Sequence, residues 1–201
     1  MITTIEELES IYGQPGAASL VKETDFITAE YRALIEASPF VAVASVGPEG
    51  LDCTPRGDIS GFVRVEDEKT LMLPDRRGNN RIDTLKNIVR DPRVALLFVI
   101  PGSLTTFRVN GTAQISVDED LLKSFEVDGK APRSVLVIKV EAAYFQCGRA
   151  VIRSQMWDGS THVDPEILPS VGDMIAAGSQ GKEGGKAYDE TWAKRADETL
   201  W

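Results

Sequence analysis

The sequence predicts an α+β fold, mainly β, in which about six antiparallel strands close or half-close into a barrel with peripheral helices. Three observations predict it. Short apolar or alternating segments recur from Phe40 to Cys147, separated by Gly, Pro and Asp turns. One amphipathic helix pattern, from Ile82 to Val89, is inserted among them. Further helix patterns lie at the two ends of a chain of 201 residues, a length suited to one domain with a full core.

Taken in order, Thr4 and Glu7 stand at capping-box spacing before a stripe of Ile5, Leu8 and Ile11, which predicts a helix over 4–12. Gly13 to Ala18 reads as a loop. Thr28 caps a second helix with Tyr31, Leu34 and Ile35 on its apolar face, ending near Ser38-Pro39. FVAVASV from Phe40 and the return segment Leu51–Pro55 form a hairpin across Gly47-Pro48-Glu49-Gly50. Phe62–Val65 and Thr70–Leu73 form a second, with Glu66–Lys69 at its tip. Val94–Ile100 is apolar on both sides and reads as a central strand. Thr105–Val117 alternates apolar with polar residues; its Asn110-Gly111 fits either a tight hairpin turn or a bulge in one long strand. Asp118–Phe125 reads as a short helix, and Ser134–Val140 and Ala143–Cys147 as two late strands.

From Gly148 a helical stretch spaces Arg149, Arg153 and Trp157 four apart, on one face. Ser179–Gly185 reads as a flexible linker, and Ala187–Trp201 as a helix anchored by Trp192 and Trp201. The organisation is therefore N-terminal helices over 1–38, a barrel domain over 39–158, and a C-terminal extension with a helix over 159–201.

The stretch Leu71–Arg93 carries the chemistry. A strand ending Pro74-Asp75 passes through Arg76-Arg77-Gly78-Asn79-Asn80 into the inserted helix, which Asp91-Pro92 stops. Asn79 or Asn80 suits the N-cap, with Asp83 as capping-box partner. Residues 76–93 hold six basic side chains against Asp83 and Asp91, in a chain of net charge −9. Arginines gathered at a helix start suit a bound anion, a phosphate above all; the alternative is a solvated turn whose arginines pair with nearby carboxylates.

The acidic balance argues against a nucleic-acid partner, and no apolar run approaches the roughly 20 residues that span a bilayer. MITTIEELES lacks the basic start and apolar middle of a signal peptide, so the expected location is cytoplasmic. Cys53 and Cys147 make no disulfide framework and read as buried spacers in strands; the lone His162 reads as exposed, and no metal-ligand pattern appears.

LPDRRGNNR, DPRVALLF and FRVNGTA together resemble the pyridoxamine 5′-phosphate oxidase-related family, the FMN-binding split barrel, over about Phe40 to Trp157. The ends, 1–28 and 160–201, resemble a subgroup of unassigned bacterial relatives. The resemblance implies a six-stranded antiparallel split β-barrel and favours the bulge at Gly111. It implies a homodimer with two FMN molecules in clefts between subunits, and a small-molecule substrate. Arg56 matches the phosphate-binding arginine; Leu73, Pro74 and Asp75 match the strand end along the flavin. The polar or basic pair at the phosphate falls on Asn79-Asn80 or on Arg81, and the long-strand residue at the ring on Thr106. Arg149, Arg153 and Trp157 match residues that approach the ring from the second subunit. Asp58 either bonds the flavin or holds Arg56. The Asn79-Asn80 pair replaces the oxidase's Arg-Lys, and Glu198-Thr199-Leu200-Trp201 replaces its Arg-Leu-x-Pro, which argues against pyridoxine phosphate as substrate. The expected function is FMN-dependent oxidation or reduction, with no acid or base singled out. The alternatives are an F420-dependent reductase, its basic groove extended by Arg76 and Arg77, and a non-catalytic flavin-binding or sensor module.

Overall fold

A computed structural model describes residues 1–200. Three helices lead the chain: α1 (Ile5–Tyr12), α2 (Ala17–Val21) and α3 (Ala29–Glu36). Then come β1 (Phe40–Gly47), β2 (Gly50–Gly57), β3 (Arg64–Asp67), β4 (Thr70–Asp75), α4 (Asp83–Arg90), β5 (Arg93–Val99), β6 (Phe107–Ser116), α5 (Glu119–Lys123) and β7 (Ser134–Phe145). α6 (Arg149–Arg153), α7 (Val171–Gly178) and α8 (Lys186–Glu198) complete it. The strands form one antiparallel sheet in the order β2-β1-β5-β6-β7-β4-β3.

The sheet has seven strands where about six were expected. The two late segments are a single strand, β7, which pairs with β4 along its first half and with β6 along its length. β6 runs as one long strand through Asn110-Gly111, as expected, but the bulge at this step lies in its partner β7. Asn110 faces Ala142 and Gly111 faces Val140, so Glu141 of β7 is the extra residue. Gly111 is required by close approach: a Cβ there would lie 1.9 Å from the Lys139 carbonyl oxygen.

One face of the sheet carries the core. Cross-strand rows such as Val43–Leu96–Val109–Ala143 and Val41–Phe98–Phe107 are buried, and Leu71, Leu73, Leu136 and Ile138 continue them. α3 covers part of this face; the Tyr31 ring packs tilted against Phe107 with centroids 4.8 Å apart, and the Thr28 hydroxyl caps the helix as expected. The β3–β4 hairpin is tighter at its tip than expected, with a register shift between Val65 and Asp67.

The helices depart further from their sequence patterns. α1 has its expected cap, Thr4 Oγ1 accepting from Glu7 N, but Ile5, Leu8 and Ile11 all face solvent. The loop expected over 13–18 ends at Gly16, and Ala17–Val21 form α2. α4 buries Thr84, Asn87 and Ile88 rather than the expected Ile82, Leu85, Ile88 stripe; Ile82 and Val89 are exposed and Leu85 is half-buried. Asn87 donates to Ser45 Oγ at 3.1 Å inside the protein, and Gly47 leaves the room for its amide. The helix stops before Asp91, which wraps Arg93 in a two-pronged ion pair that pulls the Asp91 carboxyl down to about 2. α7 was not expected; Ser170 and Asp173 build a reciprocal capping box for it. The segment read as a linker is a bonded turn, Gly185 N donating to Gly172 O at 2.8 Å, that folds α7 against α8. Trp192 is exposed rather than an anchor, and Trp201 lies outside the described residues. Cys53 and Cys147 are exposed, not buried: Cys53 lies on the outward phase of the edge strand β2, and Cys147 beyond the end of β7. His162 is exposed, as expected. No helix among the described residues is long and apolar enough to cross a membrane.

Substitution of Gly111 by Ala forces β6 away from β7 at the bulge. The denaturant midpoint is expected to fall by an amount corresponding to about 1–3 kcal/mol, or more if the strands cannot relax; an unchanged midpoint would refute the steric account.

Candidate functional site

The core ends where β2, β4 and β7 carry polar residues on their inward phase. On β2, Asp52, Thr54 and Arg56 alternate with outward Cys53 and Pro55, and Thr54 and Arg56 face the core residues Val43 and Val41 across the ladder. The inward residues at the ends of β4 and β7 are Asp75 and Ser134, opposite each other in register. Between these strand ends and the start of α4 lies a cavity of about 680 Å³.

A directional chain of hydrogen bonds runs along its wall. Arg56 Nη1 donates to Thr54 Oγ1 at 2.8 Å and to Pro55 O at 3.0 Å. Thr54 and Thr84 hydroxyls meet at 3.2 Å, and Thr84 Oγ1 donates to Asp52 Oδ2 at 3.1 Å. At its other end Arg56 Nε lies 3.4 Å from Asp75 Oδ1. Burial raises the Asp75 carboxyl above the ordinary range, while Arg56 and, more weakly, Arg133 oppose the shift. Ser134 Oγ is buried with no hydrogen-bond partner among the described residues.

The turn from β4 into α4 sets the cavity's other side. Arg76 Nε bonds Asp58 Oδ2 at 2.7 Å, with the Asp58 side chain fully buried, and Arg76 Nη1 donates to Phe125 O at 2.8 Å. Asn79 Oδ1 accepts from Arg81 N at 3.1 Å, and Asn80 Oδ1 accepts from Arg133 Nη1 at 2.7 Å. Asn80 and Ile82 both take left-handed backbone, φ 61° and 53°. Neither asparagine therefore caps α4, contrary to expectation. The N-cap is Ile82, which has no side-chain acceptor to offer. The first N–H groups of α4 thus stay open, and residues 83–85 line the cavity.

Of the sequence-predicted residues, Arg56, Pro74, Asp75, Asn79, Asn80 and Arg81 line this cavity together. Asp58 sits behind it, holding Arg76 and not Arg56; Arg56 pairs with Asp75 instead. Leu73 belongs to the core, fully buried one residue before the cavity begins. Thr106 stands at the entry to β6, its carbonyl accepting from Gln146 N. α6 ends at Arg153, and left-handed Gln155 breaks the helical face, so Trp157 leaves the register with Arg149 and Arg153; its indole N–H donates to Ser103 O at 2.7 Å. These last four residues do not line the cavity. The sequence reading missed Asp52, Thr54, Thr84, Arg133 and Ser134. A signal existed for the first two: polar residues at every second position of a hairpin strand whose partner is apolar on that phase.

A sequence profile of the pyridoxamine 5′-phosphate oxidase family matches residues 27–147, which takes in the whole sheet and every residue lining the cavity. The chain belongs to that family. A comparison with curated proteins finds no match. Among solved structures, HupZ of group A Streptococcus is 27% identical, over 60% of this chain and 94% of its own, with a TM-score of 0.50. A Lactobacillus delbrueckii protein named for pyridoxamine 5′-phosphate oxidase is 25% identical, over 60% and 95% of the two chains, with a TM-score of 0.49. A FAD-binding protein of Mesorhizobium loti is 14% identical, over 62% and 98%, with a TM-score of 0.42. The matched region thus covers the sheet, and α1, α2 and α6–α8 lie outside it.

The buried Arg76–Asp58 pair holds the turn in place. Asp58→Ala removes the buried carboxylate that Arg76 Nε bonds and is expected to cost about 3 kcal/mol in chemical unfolding; a loss below 1 kcal/mol would show that the turn is held by something else. Asp75 gives a pH signature. Its folded-state pKa is raised, so the folded protein binds its proton more readily than the unfolded chain, and stability falls as pH rises through that titration. Asp75→Asn is expected to remove this segment of the slope in a thermal-unfolding series from pH 4 to pH 7; an identical slope in the variant would contradict it.

Proposed function

We propose that this cavity binds flavin mononucleotide, and that the protein is an FMN-dependent oxidoreductase acting on a small molecule. The observation that carries the reading is the open start of α4 facing a cavity lined by Arg56, Arg77 and Arg81. A phosphate monoester is the group that such a site suits best. Helix-start N–H groups satisfy its oxygens, an arginine fork adds charge-assisted bonds, and the positive end of the helix dipole favours its charge. The volume leaves room for a ring system beyond the phosphate. The family itself points to a flavin.

In this reading the bound flavin supplies the two-electron chemistry, and the chain supplies position and field. Arg56 is held between Thr54 and Asp75, so its free rotation is already lost before the ligand arrives. Asn79 and Asn80 shape the turn through their side-chain oxygens and do not cap the helix; they line the cavity beside the α4 start, where their amide N–H groups suit the phosphate. Thr106, Arg149, Arg153 and Trp157 enter only if a second copy of the chain closes the cleft. The proposal therefore includes a homodimer with FMN between subunits and the sheet half-closed as a split barrel. F420 asks for a longer basic groove; Arg76 is held by Asp58, which leaves Arg77 alone in that role and favours FMN.

The test is a titration of the purified protein with FMN and with riboflavin, followed by flavin fluorescence. Wild type is expected to bind FMN more tightly than riboflavin. Arg56→Ala is expected to weaken FMN by about tenfold or more while changing riboflavin little. Equal FMN affinity in the variant and wild type would overturn the assignment of Arg56.

A further inference from the structure

Ser134 has an unexplained hydroxyl. It is the first residue of β7, on the same face as the fully buried Leu136 and Ile138, and it stands where the core gives way to the cavity that it helps to line. The residue is 5% exposed, and its Oγ is the buried side-chain oxygen with no partner among the described residues. A buried hydroxyl without a partner is uncommon and costs stability. Rotation about its Cα–Cβ bond is the adjustment that lets it meet a group entering the cavity.

Its neighbour decides what that group is. Asp75, opposite Ser134 in register, gives one carboxylate oxygen to Arg56, and its other oxygen has no partner among the described residues. Arg56 and Arg133 offset the charge of that carboxylate, and the α4 start, reached from Asp75 along Arg56, Thr54 and Thr84, is the better seat for a phosphate. What suits this end is a neutral group that donates one hydrogen bond and accepts another from adjacent atoms. An imide edge, a ring N–H flanked by carbonyls, has that pattern.

We propose that Ser134 and Asp75 together form the subsite for the pyrimidinedione edge of the bound ring, Ser134 donating to a ring carbonyl and Asp75 accepting from the ring N–H. The subsite rests on the flavin reading given above, and flavins and deazaflavins share this edge.

The experiment compares wild type with Ser134→Ala, titrated with FMN, riboflavin and N3-methylriboflavin, with thermal unfolding of the ligand-free proteins alongside. Because the hydroxyl has no partner, the ligand-free variant is expected to be at least as stable as wild type. FMN and riboflavin affinities are both expected to fall about three- to tenfold, by the same factor. N3-methylriboflavin, which has no ring N–H to give, is expected to bind wild type more weakly than riboflavin by a similar factor. A variant that binds FMN as wild type does overturns the subsite alone. So does one that loses FMN but not riboflavin affinity, which would place Ser134 at the phosphate. Wild type that ignores both FMN and riboflavin overturns the flavin reading and the subsite with it.

Discussion

The Arg76–Asp58 ion pair is the constraint on which the cavity depends. It fixes the first residue of the turn after β4 against a buried carboxylate, and a second bond from the same guanidinium ties that residue to Phe125 O. The chain from Arg77 to Ile82 must then reach α4 through two left-handed residues, Asn80 and Ile82. The asparagine side chains are drawn to Arg81 N and to Arg133. The consequence is a helix whose N-terminus has no cap from its own sequence. An uncapped helix start costs stability in an isolated protein and is useful where an anion completes it.

The cavity has two unlike ends joined by one wall. At one end are the α4 start, Arg77 and Arg81; at the other are Asp75 and Ser134. Arg56 stands between, bonded to Thr54 on one side and to Asp75 on the other. An elongated ligand with a charged tail and a neutral heterocycle matches that polarity, whereas a simple dianion or a wholly apolar molecule matches only part of it.

The strands were legible because burial writes a period of two into the sequence. Each hairpin and the central β5 could be read from alternation and turn residues, whereas the bulge at Gly111 was favoured only by the family resemblance. The helices were less so, since a helical stripe says which residues share a face and not whether anything covers it. Ile5, Leu8 and Ile11 share a face and lie in water. α7 and the turn before α8 were hidden because close approach of Gly172 to the Gly185 carbonyl, rather than large apolar residues, brings them together. At the site, residues of one sequence stretch and the strand arginine were legible, and partners supplied by topology were not. Which carboxylate Arg56 takes depends on β2 and β4 lying on either side of the cavity, and Ser134 enters only because β7 pairs with β4. The register of Arg149, Arg153 and Trp157 assumed a helix longer than the five residues that form.

The central claim is that the open start of α4 holds the phosphate of a flavin whose ring lies toward Ser134. A crystal structure of the protein grown with FMN tests it most directly. The account predicts phosphate oxygens within hydrogen-bonding distance of backbone N–H groups at the start of α4 and of the Arg56 guanidinium. FMN seated elsewhere, or with its phosphate at the Asp75–Ser134 end, would contradict it.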